Sequence, residues 1–116
     1  MTPFRELDPL LHSQLRLAIM SILVSVDSAG FNYLREKTEA TAGNLSVQIG
    51  KLKDAGYISV KKSFGESYPQ TMCHITDLGK KKFADYVAAL GDYLGSEGRK
   101  VGRSEGPLDL SQRTKS

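Results

Sequence analysis

The sequence predicts a mainly α domain with one small β-hairpin, an α+β fold. Three observations carry that expectation. Apolar residues recur at helical spacing in three stretches, the period switches to strict alternation after Gly56, and capping and turn residues fall where these patterns begin and end. At 116 residues, 40 % apolar and 25 % charged, the chain suits a single soluble domain with one core.

The first helix is expected to open at Asp8-Pro9, an N-cap residue followed by a proline whose missing N–H costs nothing at the first helical position. It should run to about Val26. Leu11, Leu15, Ala18, Ile19, Ile22 and Val26 share one face, while Leu10, Leu17, Met20, Leu23 and Val24 spread apolar character round the cylinder. Either a second subunit covers part of that surface, or this is the central core helix of one subunit.

Asp27-Ser28-Ala29-Gly30 is turn chemistry, and residues 31–38 read as a strand residue or two running into a short helix with Phe31 and Leu34 inward. Glu39-Ala40 makes a tight connection. Thr41 then caps a helix through Ala55, and Gly56 takes the left-handed position that follows it. Two short helices joined by a tight turn form a helix-turn-helix. In the second of them Leu45, Ile49 and Leu52 make the buried stripe. Gly43, Val47, Gly50 and Lys51 face outward, with Asn44, Ser46, Gln48 and Lys53 at the margins.

Ile58, Val60 and Phe64 share one side of a strand whose other side carries Ser59, Lys61 and Ser63. Gly65-Glu66-Ser67-Tyr68-Pro69 supplies a turn, and residues 70–76 alternate again with Cys73 and Ile75 inward, which completes a hairpin. Thr76 caps a last helix striped by Phe83, Tyr86, Val87, Leu90, Tyr93 and Leu94. Gly79 in its first turn is a weak helix former whose use is to let the helix approach other backbone. Beyond Leu94 the composition shifts to glycines among charges, so residues 95–116 are expected to be a flexible tail after a domain at 7–94.

The net charge is +3, and its distribution is uneven. Residues 35–82 hold nine basic side chains against five acids, residues 1–34 sum to −1 and residues 83–94 to −2. A basic middle with mildly acidic flanks suits a domain that presents its middle to a polyanion.

Catalysis has no visible apparatus: there is no glycine-rich phosphate loop, no His-Glu-x-x-His and no serine in a nucleophile elbow. The single cysteine, Cys73, is expected to be a buried structural thiol. Strand alternation sets it on the opposite side from His74, and His12 is distant in sequence, so neither a metal nor a cofactor is expected. One cysteine, no basic-then-apolar leader and no long apolar run predict a cytoplasmic protein.

The order helix, short helix, tight turn, helix, hairpin, helix resembles the winged-helix transcriptional regulators of the ArsR and MarR type. Three stretches carry the likeness. Thr41-Ala42-Gly43-Asn44-Leu45-Ser46-Val47-Gln48-Ile49 with Leu52-Lys53-Asp54-Ala55-Gly56-Tyr57-Ile58 looks like the recognition helix, Val60-Lys61-Lys62-Ser63-Phe64 like the wing strand, and Ile75-Thr76-Asp77-Leu78-Gly79-Lys80-Lys81 like the entry to the last helix. With the first helix, the likeness spans residues 7–94.

The resemblance implies sequence-specific binding of double-stranded DNA by a homodimer. It places Gly43, Asn44, Ser46, Val47, Gln48 and Lys51 at the bases, and Lys53, Lys61 and Lys62 at phosphates. It builds the dimer from Leu11, Leu15, Phe83, Tyr86, Val87, Leu90, Tyr93 and Leu94, and allows a small-molecule effector beside Phe83, Tyr86 and Tyr93. Three departures from the family matter. No Arg or His stands on the exposed face of the recognition helix, so direct readout is sparse; Glu66 at the wing tip argues against minor-groove insertion; and the paired cysteines of metal-sensing members are missing. The rival expectation is a winged-helix protein-interaction module. The two differ in whether Lys51, Lys53, Lys61 and Lys62 form one continuous positive surface.

Overall fold

The computed structural model describes residues 4–64 and 69–103. Its elements run α1 (Gln14–Val26), β1 (Ser28–Gly30), α2 (Phe31–Thr38), α3 (Ala42–Asp54), β2 (Ile58–Phe64), β3 (Pro69–Ile75) and α4 (Asp77–Arg103). Two compact units result: one spans Leu7–Tyr86, and the other joins the N-terminal residues to α4 from Val87 onward. Of the expected turn at 65–69, residues 65–68 with Glu66 at the tip lie outside the described residues, as does the tail beyond Arg103, while Pro69 already belongs to β3.

The first helix begins later than Asp8-Pro9 suggests. Asp8 instead organises a separate turn, its carbonyl accepting from the amides of Leu11 and His12 at 3.0 Å and its Oδ1 from the Leu10 amide at 3.0 Å. Ser13 then has extended backbone (φ −148°, ψ 129°), which interrupts any helical ladder, and its hydroxyl accepts from the Arg16 amide as the true N-cap.

Residues 28–30, read from sequence as a turn, are a strand. β1 pairs antiparallel with β3 (Ser28 with His74, Ala29 with Cys73, Gly30 with Met72), giving a three-stranded sheet in the order β1-β3-β2. The turn itself is confined to Asp27, which takes a positive φ of 70°. β2 and β3 form the expected hairpin, from Ile58 opposite Ile75 to Phe64 opposite Pro69.

The helix-turn-helix stands as expected. α2 ends on Glu39 in the left-handed region, whose amide returns to the Arg35 carbonyl at 2.8 Å. Thr41 caps α3 through its hydroxyl, which accepts from the Asn44 amide at 3.1 Å. At the other end Gly56 (φ 82°) closes the helix: its amide donates to the Lys53 carbonyl and the Tyr57 amide to the Leu52 carbonyl, the paired bonds of a Schellman motif.

The start of α4 is fastened to that closure. The Thr76 hydroxyl accepts from the Gly79 amide at 3.0 Å and lies 2.7 Å from the Gly56 carbonyl, while the Thr76 amide donates to the Tyr57 carbonyl at 3.1 Å. Gly79 makes the approach feasible, since a Cβ there would stand 2.1 Å from the Tyr57 carbonyl oxygen. α4 continues past its expected end at Leu94 to Arg103; the glycines there each cost about 1 kcal/mol of helix propensity but do not block the backbone ladder.

The core gathers Leu11, Ile19, Met20, Leu23, Leu34, Leu45, Leu52 and Cys73, all fully buried, around α1. Each large side chain so buried contributes on the order of 1.5–3 kcal/mol. α1 is therefore the central core helix of the chain itself, with Leu10, Leu15, Leu17 and Ile22 packed partly against the same core. This corrects part of the expected dimer surface. Leu11 is 0 % and Tyr86 5 % exposed, so the chain leaves neither to face a second copy, and Leu15 and Phe83 are half-buried. Val87, Leu90, Tyr93 and Leu94 remain exposed.

In the second unit the N-terminal residues lie along α4. The Arg5 guanidinium grips both carboxylate oxygens of Asp92 (2.8 and 3.2 Å) and the Ala88 carbonyl at 2.9 Å. The Tyr93 hydroxyl donates to the Arg5 carbonyl at 3.1 Å, and the Phe4 ring lies 5.0 Å from that of Tyr93.

Candidate functional site

The helical spacing of α3 decides which side chains meet solvent. Leu45, Ile49 and Leu52 are buried as their positions require, which turns Gly43, Val47, Gly50 and Asp54 outward in one row with Ser46 and Lys51 beside it. Val47, 55 % exposed, is the one large apolar side chain in that row. A Cβ on Gly43 or on Gly50 would meet nothing within 4 Å. The outward face is thus low, open and close to bare backbone at two points.

Asn44 and Gln48, four residues apart, share one flank of α3 and are hydrogen-bonded to each other: Gln48 Nε2 donates to Asn44 Oδ1 at 3.0 Å. Gln48 is half-buried because its other amide atom, Oε1, accepts from Nη1 of Arg16 on α1. Arg16 is in turn held through Nε by the Leu10 carbonyl at 2.5 Å. The sequence reading did not foresee Arg16 at this site. Its signal was present, since Arg16 carries the only charge in α1.

All four lysines singled out, Lys51, Lys53, Lys61 and Lys62, are exposed, and none joins an ion pair among the described residues. They do not share one face. Lys51 and Lys53 stand about 200° apart round α3, and the pleat of β2 sends Lys61 and Lys62 to opposite sides of the hairpin. Lys62 Nζ donates across to Thr71 Oγ1 at 3.3 Å. Asp54 adds an exposed acid at the C-terminal end of the outward row of α3.

Two buried groups are perturbed. Burial, and then the hydrogen bond and charge of Asp8, push the Tyr57 hydroxyl up to about 12; it donates to Asp8 Oδ2 at 2.5 Å. Burial alone pushes the Cys73 thiol up to about 11, which keeps it protonated and unreactive near neutrality. No cluster of three metal-ligating side chains occurs among the described residues.

An open cleft of about 800 Å³ lies at the outer edge of β1, lined by Val26, Ser28–Gly30, Phe31, Tyr33, Thr71 and Met72 among others. Phe83, Tyr86 and Tyr93, beside which the resemblance allows a small-molecule effector, do not line it. The Tyr86 hydroxyl instead sits 3.0 Å from Nδ1 of His12. No described helix is long and apolar enough to cross a membrane.

Known proteins share this arrangement. The family model described as a winged helix DNA-binding domain matches residues 15–94. An uncharacterized protein of Methanocaldococcus jannaschii is 34 % identical over 76 residues, which cover 66 % of this chain and 83 % of that protein. Among solved structures, a transcriptional regulator homologue from Pyrococcus horikoshii superposes with a TM-score of 0.72 at 26 % identity, covering 79 % of this chain and 89 % of that one. A protein of Thermoplasma acidophilum classed as a transcriptional regulator gives a TM-score of 0.60 at 27 % identity, covering 80 % and 90 %.

Proposed function

Since the chain belongs to the family of winged helix DNA-binding domains, we propose that it is a sequence-specific regulator of transcription that grips double-stranded DNA as a homodimer. The observation that carries this reading is the open outward face of α3. A glycine inside a helix costs about 1 kcal/mol relative to alanine, yet Gly43 and Gly50 have no packing neighbour that would exclude a Cβ. An approaching surface supplies the missing reason, because bare helix backbone can sit deep in a major groove.

On this reading Gly43, Ser46, Val47 and Lys51 lie over base edges, with the Val47 methyls suited to a thymine methyl. Lys53, Lys61 and Lys62 reach phosphates from separate sides, which fixes position without reading sequence. The exposed α4 residues Val87, Leu90, Tyr93 and Leu94 are the surface left for a second copy, and two copies set their α3 helices to successive grooves roughly 34 Å apart.

A protein-interaction module is the second reading, and the scatter of the four lysines over different faces, with Asp54 among them, favours it. The deciding experiment is selection of bound sequences from a random duplex pool, followed by titration against selected and scrambled duplexes at several salt concentrations. Tighter binding of the selected duplex, with a salt slope reflecting several released counterions, is expected. Absence of binding to either duplex at low salt establishes the second reading instead.

A further inference from the structure

Resting on the DNA-binding reading, the geometry points to a division of labour on the flank of α3: Asn44 is the base reader, and Arg16 and Gln48 are positioning residues that fix which way its amide faces. The order of the hydrogen bonds dictates this. A guanidinium has donors only, so the Gln48 atom turned toward Arg16 must be the oxygen, as it is. Gln48 Nε2 is thereby directed along the helix to Asn44, where it requires an acceptor and finds Oδ1 at 3.0 Å. Asn44 Nδ2 is left to face outward, with one lone pair of Oδ1 still open.

The anchor at the far end is firm. Arg16 Nε donates to the Leu10 carbonyl, so the guanidinium plane is fixed by two bonds that diverge from one side chain. The polarity set by Arg16 is passed through Gln48 to Asn44 without a free rotor between them. An asparagine amide that presents a donor beside an open acceptor matches N7 and N6 of adenine. Gln48 cannot do the same freely, since its oxygen and one N–H are already engaged and its side chain is half-buried.

The test uses the full-length protein and a set of selected duplexes in which each base pair is varied through all four identities. Wild type is expected to prefer adenine at one position, and Asn44→Ala to lose that preference by about tenfold. Gln48→Met, which keeps the length but cuts the relay, should weaken the preference at that same position. Gln48→Glu should go further. A carboxylate accepts only, so Asn44 must donate Nδ2 to it and turn Oδ1 outward, which moves the preference from adenine toward cytosine, whose N4 is a donor.

Arg16→Met, which removes the anchor of the relay, should weaken the same adenine preference; circular dichroism and thermal unfolding accompany each variant, and Gln48→Met carries the test if Arg16→Met fails to fold. Adenine preference unchanged in Gln48→Met overturns the inference while leaving the DNA-binding reading in place. So does a loss at a different base pair from the one Asn44→Ala affects, because Gln48 would then read a base of its own. A wild type that binds no duplex overturns both.

Discussion

Glycines serve opposite ends on α3 and α4. On α4, Gly79 is buried, and a Cβ there would meet the Tyr57 carbonyl oxygen at 2.1 Å, so the chain's own packing demands it. On α3, Gly43 and Gly50 open onto nothing within 4 Å, and packing within the chain makes no demand. The outward faces differ in the same sense. α3 presents glycine, serine, one valine and polar ends, whereas α4 presents Val87, Leu90, Tyr93 and Leu94. A low face suits a groove, and a bulky apolar face suits another protein surface, so one small chain carries two chemically distinct surfaces on two of its helices.

The largest effect that would sharpen this contrast is that of Gly79→Ala. The added methyl collides with backbone, which cannot move aside as a side chain could, and about 3 kcal/mol of stability should be lost. Urea unfolding reads this as a lower midpoint at unchanged slope. A midpoint within error of wild type would mean that α4 can start elsewhere and that Gly79 is not required by packing.

Next in size is Leu90→Lys. Leu90 is 39 % exposed in the single chain, so the fold should survive and circular dichroism should be unchanged. A dimer that covers it would lose much of the roughly 1.5–3 kcal/mol that burying a leucine contributes, raising the dissociation constant at least about tenfold. Sedimentation at micromolar concentration checks it. A wild-type protein that is already monomeric there breaks the assignment of α4 to self-association.

Gly50→Ala tests the α3 side of the comparison because its two readouts should move in opposite directions. Helix propensity should raise stability by about 0.5–1 kcal/mol, while the added methyl should weaken binding of the selected duplex. If both stability and DNA affinity rise, the open face is not held open for close approach.

The smallest effect belongs to the lysines of the hairpin. Lys61→Ala and Lys62→Ala should each lower the salt slope by about one and weaken selected and scrambled duplexes equally. Since the pleat turns these two side chains apart, one of them falling silent would show which side of the hairpin meets phosphate.

Much of the fold was legible because its signals are local. Thr41 and Thr76 cap the helices their sequence marks, Gly56 supplies the left-handed residue that closes α3, and the alternation after it yields the hairpin. Gly79 announced a close approach by being a poor helix former in a first turn. Caps, the left-handed closure and strand alternation are set by residues a few positions apart, so the sequence by itself determined them, whereas the carbonyl that Gly79 approaches belongs to the remote Tyr57. What it did not determine depends on partners remote along the chain. Ser28–Gly30 is a strand only because β3 offers it a ladder, and the Asp8 turn stays separate from α1 while its carboxylate holds the Tyr57 hydroxyl. Leu11 and Tyr86, expected to face a second copy, prove to be buried within the chain itself. Gln48 looked like a free amide, and Arg16, far away in sequence, engages its oxygen. Helical and strand periodicity states which residues share a face, but only packing decides what that face meets, because burial and hydrogen-bond polarity are set by the neighbour and not by the spacing.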